Sequence, residues 1–277
     1  MSISARSPIG VFDSGLGGLT VFRALARRMP EESLVYFGDT AHVPYGSKSP
    51  EAIARFSTEV ARFLAGRGIK LLVVACNTSS AWALPAIRRS VKIPVIGVIE
   101  PGARAALAAT RGGRIGVIGT EATVNSGAYP KAIKALSPRT RTVSRPCPLF
   151  VPLVEEGWWA GDVVAAVARK YVAPLRAARV DTVILGCTHY PYLKKTIAKA
   201  IGPRVRLIDS ADETARETER VLSELGLRAP KIRRGASKGR RGQRMFYASD
   251  APERFARLGR RMLGAAVSRV RLHPFDS

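Results

Sequence analysis

The chain alternates short apolar runs with longer stretches in which apolar residues recur every three or four positions. The short runs are apolar nearly throughout, which is typical of strands that helices cover on both faces. The predicted strands are Ile9–Phe12, Leu34–Phe37, Leu71–Ala75, Val95–Val98, Ile115–Ile118, Thr182–Leu185 and Val205–Ile208. The clearest predicted helices are Leu19–Arg28, Glu51–Ala65, Val163–Ala178 and Ala211–Leu225. This alternation predicts an α/β fold built on parallel sheets.

A weak internal repeat relates two parts of the chain. The run LLVVACNTSSAWALP, which contains Cys76, resembles TVILGCTHYPYL, which contains Cys187. The run IGVFDSGLGG, which begins at Ile9, resembles IGVIGTEATVNSG, which begins at Ile115. Ile9 precedes Cys76 by 67 residues, and Ile115 precedes Cys187 by 72 residues. Because both features recur at similar spacing, the chain is predicted to contain two related halves.

The repeat leads to a predicted domain organisation. We expect two pseudo-symmetric α/β domains, formed by residues 1–98 together with 209–277 and by residues 99–208, with the active site in the cleft between them. The last part of the chain is expected to return to the first domain. There it would add a helix and a final hairpin-like segment around Arg244–Tyr247 and Arg269–Leu272.

Polar side chains collect directly after the predicted strands. In open α/β sheets, ligands bind beyond the carboxyl ends of the strands, so these positions are candidates for a site. His42 is expected in a loop that closes this site. The candidates at strand ends are Asp13, Ser14, Asp39, Thr40, Cys76, Asn77, Thr78, Gly119, Thr120, Cys187, Thr188 and His189.

Two cysteines that face each other across a cleft suit one kind of chemistry. Inverting an α-carbon by proton transfer needs a base on one face and an acid on the other, and two like residues can exchange these roles. A helix is predicted to begin after both Cys76 and Cys187, which would favour a thiolate. A cysteine after an apolar strand can also be a small core residue. We prefer that structural interpretation for Cys147, which lies between two prolines.

The chain is strongly basic, with 45 Lys and Arg against 21 Asp and Glu, a net charge of +24 and a pI near 11.1. Such a surface attracts anions, including small carboxylates and nucleic acid. A solvated arginine-rich surface without a specific partner is the simpler alternative. From Arg228 to Arg271 there are 14 basic and two acidic residues. Its glycine-rich part, residues 228–244, is predicted to be a mobile basic loop.

Several classes of protein are disfavoured by the sequence. Three cysteines do not make a disulfide framework, and no signal peptide or membrane span is evident, so we expect a reducing, cytoplasmic setting. The glycines at positions 15, 17 and 18 lack the third glycine of a dinucleotide fingerprint, since Thr20 stands there. They are better explained as a tight turn whose N–H groups can hold a carboxylate. We predict no cofactor and no metal.

Six motifs in chain order resemble the glutamate racemases of the aspartate/glutamate racemase superfamily. They are IGVFDSGLGGLTV, YFGDTAHVPYGSKS, VVACNTSSA, PVIGVIEPGA, VPLVEEGW and ILGCTHYPYL, and the similarity runs from about Ile9 to Arg216. The resemblance implies two pseudo-symmetric α/β domains and cofactor-independent interconversion of L- and D-glutamate. It also implies that the product D-glutamate supplies peptidoglycan synthesis.

The resemblance also implies roles for individual residues. Cys76 matches the base that acts on D-glutamate, and Cys187 matches the base that acts on L-glutamate. Asp13 matches the group that assists the first thiol, and Glu155 and His189 match those that assist the second. The matched substrate-binding positions are Asp13, Ser14, Pro44, Tyr45, Gly46, Asn77, Thr78, Thr188 and His189.

Three questions stay open at this level. The substrate could instead be aspartate or a related amino acid, because pocket size cannot be judged from sequence. A secondary hypothesis is contact with DNA or DNA gyrase through the basic segment 228–244. Relatives in the family are often dimers, so the resemblance alone leads us to expect a homodimer.

Overall fold

The computed structural model describes residues 3–230, 241–264, 267 and 269–275, and within them the strands form two fully parallel sheets. The first sheet has the order β10-β9-β2-β1-β3-β4 and the second β6-β5-β7-β8. The strands are β1 (Ile9–Asp13), β2 (Leu34–Gly38), β3 (Leu71–Val74), β4 (Val95–Gly97), β5 (Arg114–Gly119), β6 (Arg141–Pro146), β7 (Thr182–Gly186), β8 (Arg206–Ile208), β9 (Arg244–Ala248) and β10 (Val270–Leu272). The predicted α/β class with parallel sheets is confirmed.

Helices connect the strands and cover the sheets. They are α1 (Leu19–Arg28), α2 (Pro50–Gly66), α3 (Asn77–Trp82), α4 (Leu84–Ser90), α5 (Ile99–Ala109), α6 (Glu121–Asn125), α7 (Ala128–Leu136), α8 (Phe150–Glu155), α9 (Asp162–Ala177), α10 (Lys194–Ile201), α11 (Ala211–Glu224) and α12 (Pro252–Leu263). Short 3-10 turns lie at Tyr45–Ser47 and Tyr190–Leu193. The four predicted helices and seven predicted strands agree with the structure to within one residue at each end.

The central strands are buried on both faces, which explains their continuous apolar sequence. Neighbouring residues of β1 point to opposite sides of the sheet, and Val11 and Phe12 belong to two different apolar clusters. Both side chains are completely buried. These central strands therefore pack against an apolar layer on each face, and their sequences do not alternate between apolar and polar residues.

The predicted hairpin near the end of the chain is wrong. Strands β9 and β10 pair in parallel, with Val270 opposite Phe246, so the chain must cross over between them. Helix α12 makes this crossover, and its residues Phe255, Leu258 and Met262 are buried. The sequence analysis predicted no helix between the two arms of the hairpin, although the apolar residues of α12 recur at helical spacing.

Strand β6 was missed by the sequence analysis because it lies at the edge of the second sheet. Among the described strands it pairs only with β5, and its residues are partly buried or, at Arg141, exposed. An edge strand does not need to be apolar on both faces, so the sequence RTVSRP carries no strong strand pattern.

After residue 209 the chain returns to the first sheet. Strands β9 and β10, which follow residue 209, extend the first sheet beside β2. The domain limits, 1–98 with 209–277 and 99–208, stay a prediction. Of the basic segment 228–244, residues 231–240 lie outside the described residues. Within the described ranges, no helix has the length and apolar character needed to cross a membrane.

Candidate active site

Cys76 lies two residues after the end of β3 and caps the beginning of α3. Its sulfur accepts a hydrogen bond from the backbone N–H of Ser79 at 3.5 Å and lies 3.6 Å from the hydroxyl oxygen of Ser14. Burial, followed by the charge of Asp13, raises the pKa of Cys76 to about 11. The surroundings therefore favour the protonated thiol and not the thiolate predicted from the helix that follows, because burial outweighs the hydrogen bonds to the sulfur. A nearby group must help to remove the proton.

Cys187 occupies the corresponding place after β7 and is linked to a histidine and a carboxylate. Its sulfur lies 3.7 Å from Nδ1 of His189, whose Nε2 lies 2.7 Å from Oε1 of Glu155. Although burial favours the neutral ring, the hydrogen bonds with Cys187 and Glu155 raise the pKa of His189 well above its ordinary value. Burial opposes ionisation of Glu155, but the hydrogen bond with His189 leaves its pKa lowered. The contacts with Glu155 and Cys187 can therefore hold the imidazole of His189 in its protonated form beside the sulfur.

The two cysteines line the same cavity, although they follow strands of different sheets. The cavity has a volume of about 10 Å³, roughly the room that a single water needs. A larger ligand can enter only when its walls move apart. The lining residues are Ser14, Val43, Pro44, Tyr45, Gly46, Cys76, Asn77, Thr78, Thr120, Val151, Cys187, Thr188 and His189. All of the predicted substrate-binding residues except Asp13 are in this set.

Asp13 lies behind the cavity wall and connects the two sheets. Its Oδ2 accepts a hydrogen bond from the Thr188 hydroxyl at 3.0 Å, and its Oδ1 accepts one from the Gly15 N–H at 3.1 Å. The glycine turn thus holds the carboxylate of the chain's own Asp13. Burial raises the pKa of Asp13, against the opposing effect of His189 and these hydrogen bonds. Asp13 is therefore easier to protonate than an ordinary aspartate, which suits a group that accepts a proton.

Three further hydrogen bonds around the cavity join segments that follow strands of the two different sheets. The hydroxyl of Thr78 lies 3.0 Å from the hydroxyls of both Thr120 and Thr123. The Tyr129 hydroxyl donates to Oδ1 of Asn77 at 2.7 Å. The residues that follow Cys76 are therefore held by α6 and α7, which follow β5 of the second sheet.

The family model described as Asp/Glu/Hydantoin racemase matches residues 9–218. The chain belongs to the Asp/Glu/Hydantoin racemase family. Within this family, it is 54% identical over 262 residues to the glutamate racemase of Geobacter metallireducens, with 95% of this chain and 94% of that protein covered. It is 47% identical to the glutamate racemase of Syntrophus aciditrophicus, with 96% and 97% covered.

Solved structures of the racemase family are similar along nearly the whole chain. A glutamate racemase isoform from Bacillus anthracis superposes with a TM-score of 0.90 at 39% identity, and 98% of each chain is covered. A Francisella tularensis glutamate racemase in complex with D-glutamate gives a TM-score of 0.89 at 36% identity, covering 98% of this chain and 99% of that one. The fold of this chain is therefore that of the glutamate racemases in the family.

Some residues at this racemase-type site were not singled out from the sequence. Thr123 and Tyr129 contact Thr78 and Asn77, but they lie within or after α6 rather than directly at a strand end. The hydroxyl-rich stretch of the repeat, IGTEATVNSG, was the signal that could have identified Thr123. Among the described residues, no cluster of three or more His, Cys, Asp or Glu side chains could hold a metal ion.

Proposed function

We propose that the protein is a glutamate racemase that interconverts L- and D-glutamate with two thiols and no cofactor. The observation that carries the proposal is the shared cavity of Cys76 and Cys187, which follow corresponding strands of the two sheets. An acid and a base in one small cavity, contributed from its two sides, are what inversion at a carbon atom requires. The high identity to glutamate racemases favours glutamate over aspartate as the substrate.

The proposed reaction moves one proton off the α-carbon and another onto it. With D-glutamate, the Cys76 thiolate takes the α-proton, and the Cys187 thiol donates its proton to the opposite face. After the turnover Cys76 is a thiol and Cys187 is a thiolate, which is the state that acts on L-glutamate. The same pair therefore runs the reaction in both directions, with no net consumption of protons.

Each thiol has its own supporting groups in this proposal. Asp13, whose pKa burial raises and whose charge raises the pKa of Cys76, is assigned the role of assisting proton removal at Cys76. Cys187 is assisted by His189, which Glu155 keeps protonated through the 2.7 Å contact. A positive imidazole beside Cys187 stabilises the thiolate that forms there when L-glutamate is the next substrate.

Substrate binding is assigned to the polar residues of the cavity wall. The hydroxyls, amides and backbone N–H groups of the predicted binding positions are of the kind that hold two carboxylates and an ammonium. With these groups held, the α-proton is the part of the substrate left for the thiols. Ser14, Pro44, Tyr45, Gly46, Asn77, Thr78, Thr188 and His189 line the cavity, and Asp13 lies behind its wall.

The wider role follows from the product. We propose that D-glutamate made in the cytoplasm supplies peptidoglycan synthesis. The homodimer and the contact of segment 228–244 with DNA or DNA gyrase stay predictions, and part of that segment lies outside the described residues.

The proposed activity is tested by following the optical activity of each substrate separately. L-glutamate and D-glutamate should both approach the racemate, with aspartate at least about tenfold slower. In deuterated water the product should carry solvent deuterium at the α-carbon. A circular dichroism signal that stays constant with glutamate, or that changes faster with aspartate, would overturn the proposal.

A further inference from the structure

Asp39, directly after β2, has a fully buried carboxylate that no step of the proposed reaction uses. The hydroxyls of Tyr45 and Ser249 donate hydrogen bonds to it, the second at 2.6 Å. Nδ1 of His42 lies 2.9 Å from its Oδ2 and 3.0 Å from its Oδ1. Three side chains therefore converge on this one carboxylate.

These partners join two distant parts of the chain. His42 and Tyr45 belong to residues 41–47, which we call the substrate loop, whereas Ser249 follows β9. The Ser249 hydroxyl oxygen also accepts a hydrogen bond from the N–H of Ala41 at 2.9 Å. The carboxylate of Asp39 thus ties both the beginning and the middle of the substrate loop to the end of β9.

The substrate loop forms one wall of the cavity that contains both cysteines, through Pro44, Tyr45 and Gly46. A Cβ added to Gly46 would lie 2.5 Å from Cβ of Thr120, which follows β5 in the other sheet. The loop therefore rests directly on the second half of the molecule. Even a small displacement of the loop would change the cavity wall and this contact.

We propose that Asp39 is a positioning residue, which holds the substrate loop where its residues Pro44, Tyr45 and Gly46 bind the substrate. The choice of glutamate as that substrate rests on the proposed function. Hydrogen bonds to a buried charged group are strong because water does not compete for them. Burial, and then the charge of Asp39, raise the pKa of Tyr45 well above its ordinary value, so its hydroxyl stays able to donate.

The test is the variant Asp39→Asn, which keeps the shape of the side chain but replaces one acceptor oxygen by an NH₂ donor. At least one of the hydroxyl donors then loses its acceptor. We expect KM for glutamate to rise at least about tenfold in both directions. We expect kcat to fall less than about threefold, because both thiols and their partners are unchanged. A purely structural role would lower kcat with the folded fraction and leave KM constant.

A second measurement does not depend on the substrate. Amide hydrogen exchange of the substrate loop, followed by mass spectrometry without any ligand, should become at least about tenfold faster in Asp39→Asn. The amide of Ala41 should show this most clearly, since its acceptor, Ser249, loses its own contact with Asp39.

Asp181 provides a matched control at the opposite ends of the strands. Its carboxylate also accepts several hydrogen bonds, from the Thr110 hydroxyl at 2.6 Å and from the N–H of Gly112 at 2.5 Å. The variant Asp181→Asn should leave KM and the exchange of the substrate loop unchanged.

Unchanged KM together with unchanged loop exchange in Asp39→Asn would overturn the inference, and so would equal effects in the two variants. If the unmodified protein does not racemise glutamate, the proposed function fails. The exchange measurement alone then decides whether Asp39 holds the loop.

Discussion

Replacing Glu155 by glutamine removes the charge that faces His189 while nearly preserving the size of the side chain. In the native site Oε1 of Glu155 lies 2.7 Å from Nε2 of His189, and the carboxylate is largely buried. Glutamine can still accept a hydrogen bond, but it no longer favours the protonated ring. The pKa of His189 should therefore fall, so that the imidazole beside Cys187 loses its proton at a lower pH than in the unmodified protein.

The size of the effect follows from the kind of contact that is lost. A hydrogen bond to a charged group contributes about 1.5–3 kcal/mol, and each 1.36 kcal/mol corresponds to about tenfold in rate. We therefore expect kcat/KM to fall about 10- to 100-fold. L- and D-glutamate have equal free energies, so the equilibrium constant is one. The fall in kcat/KM must then be the same in both directions, although His189 lies next to only one of the two thiols, that of Cys187.

The pH dependence gives the sign of the same effect. His189 has a raised pKa in the folded protein, so its protonated form is lost as pH rises through that value. In the Glu155→Gln variant this loss occurs at lower pH, and the alkaline limb of the kcat/KM profile should shift in that direction. Profiles are measured by circular dichroism with each enantiomer.

The neighbouring variant Glu156→Gln is the control, because that side chain is 68% exposed and pairs with Arg254 at the surface. It should change kcat/KM by less than about twofold. An unshifted alkaline limb in Glu155→Gln, with kcat/KM within twofold of the unmodified protein, would refute the role assigned to the Glu155–His189 pair.

Two further predictions concern a buried ion pair and a close backbone contact. Lys70→Met should lower the free energy of unfolding by about 3–5 kcal/mol in urea titrations, because it leaves the fully buried carboxylate of Glu32 without its charged partner. A loss below about 1 kcal/mol would contradict this. Gly17→Ala should abolish most racemisation, since its Cβ would lie 2.3 Å from Oγ1 of Thr188. In Gly66→Ala, where the added Cβ would meet no described atom within 4 Å beyond its own helix turn, kcat/KM should stay within twofold. Equal rates for the two alanine variants would refute the close packing at Gly17.

The strands that carry the site could be predicted because parallel strands covered on both faces have a continuous apolar sequence. Where such a run ends in a polar residue, as at Asp13, Cys76 and Cys187, that residue lies at the carboxyl end of the sheet. The internal repeat added that the two cysteines are equivalent. Together these local patterns were sufficient to place both thiols at one cavity.

Contacts between distant segments could not be predicted in this way. Asp39 and Ser249 are 210 residues apart, and Asn77 and Tyr129 are 52 apart, yet each pair shares a hydrogen bond. No local spacing records such a pairing. Helix α12 was not predicted from the sequence for another reason. Small residues form part of its buried face, and the rest of its surface is rich in arginine.

The central claim is that two thiols act on opposite faces of one carbon atom. It is tested most directly by racemisation rates of Cys76→Ala and Cys187→Ala, with glutamate binding measured by calorimetry. The matched control is Cys147→Ala, since Cys147 is buried but does not line the cavity. We predict that each of the first two variants binds glutamate and loses racemisation by at least about 10³-fold, whereas the control stays active. Racemisation within tenfold of the unmodified protein in either variant would contradict the account.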